Sequence, residues 1–365
     1  MKIGIMSFPN MTSYGCTLQM YALYRAVEQA GAEAEIINYR NEYMKARRHT
    51  SAGRGKSAIK SALRVTAAKV LHLRQILAFR SFEHRMCHYP AKPTSEKQTL
   101  TEGAKRYDGV ICGSDQVWNP GLGRTSGFSY LGFAPDSRTF SYAASFGVDR
   151  LPQEQMDAVR AGLGHIRFLS VRETAGKKLA EELTGREDIT VLPDPTLLLG
   201  PEEWNKIARK PKQPLPRKYL AAYFLGDCSS AQRKRLFQLA ADNSWSVIEL
   251  MQPDSPWQDI GPEEFLYLIR HAQLVCTDSF HGSVFSFLYQ RPLMIFDRKG
   301  DGSNMNSRLD TLTETYALAA CRVKESGMPQ TVLQPDYSRG LAALQRERAK
   351  AAAFLDRVFR TEAER

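Results

Sequence analysis

Short apolar runs alternate along the chain with longer segments in which apolar residues recur every three or four positions. The run KIGIMSF at residues 2–8 predicts a first strand. The segment TLQMYALYRAVEQAG then predicts a helix that is closed by Gly31 as its C-cap, and AEAEIINYR predicts a second strand. A strand, a loop, a helix and a second strand in this order indicate the start of a parallel sheet.

The same alternation continues through both halves of the chain and predicts an α/β fold with two Rossmann-like domains and a cleft between them. The N-terminal domain is expected at residues 1–195, with a mostly polar, helical insertion at 40–106. The second domain is expected at 196–333. Residues 334–365 are predicted to form a turn and a long C-terminal helix, because they are rich in Ala, Arg and Glu.

Nearly all of the net charge of +11 comes from one segment. Residues 40–85 contain twelve lysines and arginines against two acids. A solvated helical surface, an anionic membrane surface or nucleic acid would each explain such a segment. Specific nucleic-acid binding is not expected, because the segment lacks the stacking aromatics that single-strand binders use.

Several classes of protein are disfavoured by absent motifs. The N-terminus does not resemble a signal peptide, and no apolar stretch reaches the roughly 18 residues that span a bilayer. A cytoplasmic location is therefore predicted, with the inner face of the membrane as a further option. The six cysteines form no C-x-x-C pair, and no Walker A, dinucleotide or H-E-x-x-H motif is present. We expect reduced thiols, and neither a metal nor a cofactor.

The turn CTDSFHGS lies where a predicted strand meets a helix that begins at about His281. A helix N-terminus presents backbone N–H groups and the positive end of the helix dipole, so an anion is its natural ligand. Ser279 would supply a capping oxygen, and Gly282 would allow close approach. His281 adds a titratable ring at this position. The alternative is a capping turn with a packed histidine.

Three basic residues are candidates for binding an anion. Arg298 and Lys299 follow the strand after the CTDSFHGS turn and should reach the same sheet edge. Arg172, in the motif SVRE, stands where a strand meets a helix and could clamp a carboxylate or phosphate. The alternative for Arg172 is a salt bridge to Glu173 or Asp194.

The segment GSDQVWNPG, residues 113–121, follows an apolar strand and carries groups that recognise sugars. Asp115, Gln116 and Asn119 offer hydrogen bonds, and Trp118 offers an aromatic platform. The alternative is an Asx-type turn with Trp118 in the core.

The motifs GSDQVWNP, SYAASFG, SVRE, LPDPTLLL and TDSFHGSVFSFLYQRPLMIF, in this order, resemble the polysaccharide pyruvyl transferase family over about residues 1–320. The resemblance implies a GT-B-like two-domain fold and transfer of the pyruvyl group of phosphoenolpyruvate to a saccharide, which gives a cyclic ketal and phosphate. It implies that His281 is the catalytic acid, and that Arg172 and either Arg298 or Lys299 contact the donor.

Two sets of residues complete the expected site. The donor set also contains Ser279, Gly282 and Ser283. The acceptor set, on the N-terminal half, comprises Tyr14, Gly15, Asp115, Gln116, Trp118 and Asn119. If the acceptor is a lipid-linked sugar, the basic segment 40–85 could lie on anionic lipid. Two alternatives remain at this point: a GT-B glycosyltransferase that uses a nucleotide sugar, and a non-catalytic binder of saccharide or nucleic acid.

Overall fold

A computed structural model describes most of the chain, and it divides into two compact units. The described residues are 1–9, 11–39, 73–122, 127–252, 255–298, 306–323 and 333–363. One unit comprises Met1–Pro195 with Ala351–Arg365, and the other comprises Thr196–Lys350. Lys299 and the first part of the basic segment, residues 40–72, lie outside the described residues.

The first unit is built on a parallel sheet with the strand order β2-β1-β3-β4. Its strands are β1 Lys2–Met6, β2 Glu33–Ile36, β3 Gly109–Cys112, β4 Thr139–Ser141, β5 Ser170–Val171 and β6 Thr190–Val191. Strands β5 and β6 pair in parallel, and bridges from Phe140 to Phe168 and from Ala144 to Val171 join them to β4. The carboxyl ends of all these strands therefore lie at one edge.

Helices flank this sheet. They are α1 Tyr14–Gln29, α2 at 73–86, α3 Lys97–Ala104, α4 Met156–Gly164 and α5 Thr174–Thr184. Helix α1 begins where Ser13 Oγ accepts the backbone N–H of Cys16, and Gly31, with φ +88°, follows its end. Gly185, with φ +67°, ends α5 in the left-handed conformation that glycine adopts most easily.

The second unit repeats the arrangement of the first. Its parallel sheet has the order β10-β9-β7-β8, so in both units the first strand lies between the second and the third. The strands are β7 Tyr219–Tyr223, β8 Ser246–Leu250, β9 Leu274–Thr277 and β10 Leu293–Ile295. The helices are α6 Pro201–Ile207, α7 Ser230–Asp242, α8 Pro262–His271, α9 Phe280–Leu288, α10 Ser307–Thr315 and the first part of α11 Ser338–Ala363.

Helix α11 ends in the first unit, where its apolar residues pack against the region around β4. The rings of Phe359 and Phe140 meet edge to face at 6.3 Å, and those of Phe354 and Tyr142 at 6.5 Å. All four side chains are buried. In the part of the chain that the structure describes, no helix combines the length and the apolar character that crossing a membrane requires.

Candidate active site

The turn between β9 and α9 is held by a carboxylate and a helix cap. Asp278 Oδ1 accepts the backbone N–H of Leu225 at 2.7 Å, and its Oδ2 accepts that of Gly226 at 2.8 Å. Ser279 is the N-cap residue of α9, and its Oγ accepts the N–H of Gly282 at 3.3 Å. These bonds fix the turn to the loop that follows β7, at the carboxyl edge of the second sheet.

His281 lies in the first turn of α9, at the sheet edge where the sequence placed it. Its side chain is buried, with 6% of the residue exposed, and its ring meets that of Phe280 edge to face at 5.2 Å. The positive end of the α9 dipole adds to the field at this position. The ring is thus carried by a buried helix. The hydrogen bonds of the Asp278 carboxylate fix the direction in which this helix starts.

Arg298 reaches the same turn from the end of β10. Its Nη2 donates to the carbonyl oxygen of Asp278 at 3.3 Å, and its Nε lies 3.7 Å from Asp278 Oδ2. Its backbone N–H donates to Asn306 Oδ1, next to the start of α10. A guanidinium therefore lies at the sheet edge to which the sequence assigned it, against the residue three positions before His281.

Gly282 and Ser283 both contribute to the structure of the first turns of α9. A Cβ atom on Gly282 would lie 2.5 Å from Thr277 Oγ1 and 3.0 Å from Tyr223 Cδ1. Glycine is required there because α9 packs closely on β7 and β9, and its predicted contact with a ligand stays a prediction. Ser283 is fully buried, and its hydroxyl donates to the carbonyl oxygen of Ser279 at 3.0 Å, within the helix.

Arg172 lies in the first unit, enclosed by acidic residues. Its Nη1 is 2.6 Å from Asp194 Oδ2, and its Nη2 is 3.3 Å from Asp115 Oδ1. Burial lowers the pKa of Arg172, but Asp194, Asp115 and Glu173 together raise it above its ordinary value. The structure therefore favours the salt-bridge interpretation of Arg172 over an anion clamp, because both terminal nitrogens already bind carboxylates.

The salt bridges of Arg172 extend into a buried polar cluster that includes Cys16. The Sγ atom of Cys16, on the first turn of α1, lies 2.8 Å from Asp115 Oδ2. Ser114 Oγ donates to the carbonyl oxygen of Ala143 and lies 3.3 Å from Asp194 Oδ2. Asp115 has φ 67° and Ala143 has φ 48°, which are strained conformations for residues with a side chain. Sequence reasoning missed the contact of Cys16 with Asp115, because the two residues are far apart in the sequence.

The aromatic platform predicted for the acceptor is wrong. Trp118 is fully buried, and its ring stacks on that of Tyr130 at 5.3 Å with an interplanar angle of 15°. Its Nε1 donates to the carbonyl oxygen of Ser129 at 2.9 Å. The indole therefore fills the core and has no surface on which a sugar could stack.

The rest of the predicted acceptor set is also largely buried. Tyr14 is fully buried, with its ring 5.2 Å from that of Phe79, and Gly15 beside it is buried as well. Asn119, 3% exposed, stabilises the turn: its Oδ1 accepts the N–H of Gly121 at 2.9 Å. Tyr14, Gly15 and Asn119 therefore serve packing and turn formation. Gln116 keeps partial exposure.

The described residues contain no group of three or more His, Cys, Asp or Glu side chains arranged to hold a metal ion. The residues that converge in the second unit are instead a histidine, an arginine and a helix N-terminus, which suit an anion and a proton transfer.

Comparison with solved structures defines the fold class as GT-B. A UDP-GlcNAc 2-epimerase from Neisseria meningitidis, solved with UDP-GlcNAc bound, is similar with a TM-score of 0.51 and 12% identity, over 100% of both chains. A putative UDP-N-acetylglucosamine 2-epimerase from Listeria monocytogenes is similar with a TM-score of 0.52 and 12% identity, over 96% of this chain and 90% of that one. At such identity the similarity shows the fold alone, and it confirms the predicted α/β, GT-B-like architecture.

The sequence model of the polysaccharide pyruvyl transferase family matches residues 14–300. The chain therefore belongs to the polysaccharide pyruvyl transferase family, a family of transferases, as the resemblance indicated. No curated protein matches the chain.

Proposed function

We propose that this protein transfers the pyruvyl group of phosphoenolpyruvate to two hydroxyl groups of a saccharide, forming a cyclic ketal and releasing phosphate. Family membership supports the reaction class. The observation that carries the proposal is the position of His281 in the first turn of α9, with Arg298 bound to the preceding turn.

The reaction needs a proton donor and a cationic site. A proton adds to C3 of phosphoenolpyruvate, and one sugar hydroxyl adds to C2 with loss of its proton. The bond between C2 and the phosphate oxygen breaks, its electrons leave with the phosphate, and the second hydroxyl closes the ring with loss of its own proton. One of the two released protons restores the acid, and the departing phosphate takes up the other. His281 would give the proton to C3, and Arg298 with the α9 N-terminus would bind the donor's anionic groups. Lys299, outside the described residues, remains a further candidate for this contact.

The test combines purified protein, phosphoenolpyruvate and a panel of galactose, glucose and N-acetylmannosamine acceptors, with phosphate release as the readout. We expect phosphate to be released only when an acceptor is present, and the product to gain the mass of a pyruvate ketal. A thermal-shift comparison of phosphoenolpyruvate, UDP, GDP and an oligonucleotide separates the alternatives. Stabilisation by UDP or GDP alone would contradict the proposal and favour a nucleotide-sugar glycosyltransferase.

We also propose that the acceptor is lipid-linked and that the protein works at the cytoplasmic face of an anionic membrane. Helix α2, the described end of the basic segment, has an outer face that carries apolar and basic side chains together. Leu73 and Leu77 are 52% and 54% exposed, and Arg80 is exposed on the same face. A helix face of this composition suits a bilayer surface with anionic lipid.

Replacing Leu77 with aspartate tests this surface. We expect the wild-type protein to co-sediment with vesicles that contain anionic phosphatidylglycerol and to bind purely zwitterionic phosphatidylcholine vesicles several-fold less. The Leu77→Asp variant should lose most of this binding, because it places a negative charge on the contact face. Leu333→Asp, at another exposed leucine, is the matched control. Equal sedimentation with both kinds of vesicle would contradict the proposal.

A further inference from the structure

A cavity of about 210 Å³ lies in the second unit, at the carboxyl ends of β7 and β8 and beside the first turns of α7. Its floor is apolar and its rim is charged. The side chains that matter for its chemistry are those of Phe224, Asp227, Arg233, Phe237, Glu249 and Gln252. None of the site residues predicted from the sequence lies among its lining residues, so the cavity needs its own explanation.

Phe237 gives the cavity an accessible aromatic ring. On helix α7, Leu236 and Ala240 are buried against the sheet, but Phe237 is 44% exposed. Aromatic rings of this kind pack against the apolar C–H faces of planar or ring-shaped ligands.

Polar side chains line the cavity beside this ring. Arg233 pairs with Glu249 through Nη2 and Oε2, and its guanidinium lies 5.6 Å from the centre of the Phe237 ring. Ser255 Oγ donates to the backbone carbonyl of Glu249 and so holds the end of β8. Asp227 and Gln252 add a carboxylate and an amide to the lining. Together these groups accept and donate the hydrogen bonds that hydroxyl groups require.

The charge of the lining distinguishes between classes of ligand. Two carboxylates, Asp227 and Glu249, accompany one guanidinium, Arg233. The balance is negative, so phosphoenolpyruvate and other anions are disfavoured by like-charge repulsion. A neutral ring with several hydroxyl groups fits both the ring of Phe237 and the hydrogen-bonding groups.

The cavity is joined to the turn that carries His281. Gly226 lines the cavity, and its backbone N–H donates to Asp278 Oδ2 at 2.8 Å. Asp278 also contacts Arg298 and directly precedes the cap of α9. Both places lie in the same unit and at the same sheet edge, so a ligand in the cavity would be adjacent to the proposed donor site.

We propose that this cavity is a saccharide subsite that binds one neutral sugar ring of the acceptor, with Phe237 as its platform. The proposal rests on the proposed function for the identity of the acceptor, but the binding itself requires no turnover. It also supplies, in the second unit, the aromatic platform that Trp118 does not provide.

The test measures binding of galactose, glucose and N-acetylmannosamine to the full chain by saturation-transfer NMR, without phosphoenolpyruvate. We expect at least one sugar to bind and Phe237→Ala to weaken its binding about ten-fold or more. Gln238→Ala, on the same helix but outside the lining, is the control and should bind like the wild type. Because Phe237 is largely exposed, the variant should retain the thermal midpoint of the wild type.

Equal binding by wild type and Phe237→Ala, or no binding of any of the three sugars, would overturn the subsite. Preferential binding of UDP at the Phe237 position would overturn it as well. Sugar binding that depends on Phe237, without any phosphate release from phosphoenolpyruvate, would uphold the subsite and refute the proposed reaction. The two proposals can therefore fail separately.

Discussion

Replacement of His281 by glutamine is expected to reduce phosphate release from phosphoenolpyruvate by about 10²–10⁴-fold, the usual contribution of a positioned general acid. Glutamine keeps a polar side chain of similar reach at the start of α9, but it cannot give up a proton. The loss should therefore appear in kcat, with little change in the KM for phosphoenolpyruvate. Steady-state phosphate release, with circular dichroism to check the fold, measures this effect.

His271→Gln is the matched control for this variant. His271 is an exposed histidine at the end of α8 in the same unit, where its ring stacks on Tyr267 at 4.0 Å. We expect it to leave turnover unchanged. His271 precedes β9 and His281 follows it, so the two residues lie at opposite edges of the sheet. If His281→Gln keeps more than about a tenth of the wild-type activity, another group supplies the proton.

Replacement of Arg172 by methionine is expected to destabilise the first unit by about 3–5 kcal/mol, the usual cost of leaving buried charges without their partner. Asp194 and Asp115 would lose the guanidinium that now lies 2.6 Å and 3.3 Å from them. Thermal unfolding should therefore begin at a much lower temperature. Arg172→Lys should fall between the wild type and Arg172→Met, because one ammonium group cannot bridge two carboxylates as the planar guanidinium does.

Arg360→Met is the control for a solvent-exposed pair. Arg360 binds Asp356 at 2.9 Å on the surface of α11, in the same unit, so its loss should cost about 1 kcal/mol or less. The opposite outcome for Arg172→Met would contradict the salt-bridge role. If this variant keeps the thermal midpoint of the wild type and raises the KM for phosphoenolpyruvate many-fold, Arg172 is a donor contact.

The alternation of strands and helices could be predicted from the sequence because it depends on local periodicity. Buried parallel strands such as β3 and β9 are short apolar runs, and amphipathic helices such as α5 show a repeat of three to four residues. The end of α1 near Gly31 could be predicted, since the left-handed conformation of this glycine is a local requirement. His281 and Arg298 could be placed because both follow strands whose carboxyl ends share one edge.

Side-chain burial in the turns could not be predicted in the same way. Trp118 and Tyr14 follow strands just as His281 does, and the local pattern does not show that Tyr130 and Phe79 of α2 enclose their rings. Such contacts depend on how distant segments pack, and no local pattern reveals them.

Contacts between residues far apart in the sequence could not be predicted either, and nor could cavities. Cys16 and Asp115 are 99 positions apart, so no spacing connects them. The cavity at Phe237 forms only when α7 packs against β8.

The ending of α11 in the first unit has a consequence for biosynthesis. Phe354 and Phe359 complete the packing around Tyr142 and Phe140, yet they are synthesised long after those two residues. The first unit thus cannot finish folding until α11 has been made, and a fragment ending at Pro195 would expose the apolar surface that these rings cover. Deleting residues 351–365 should accordingly damage the half of the protein that is translated first.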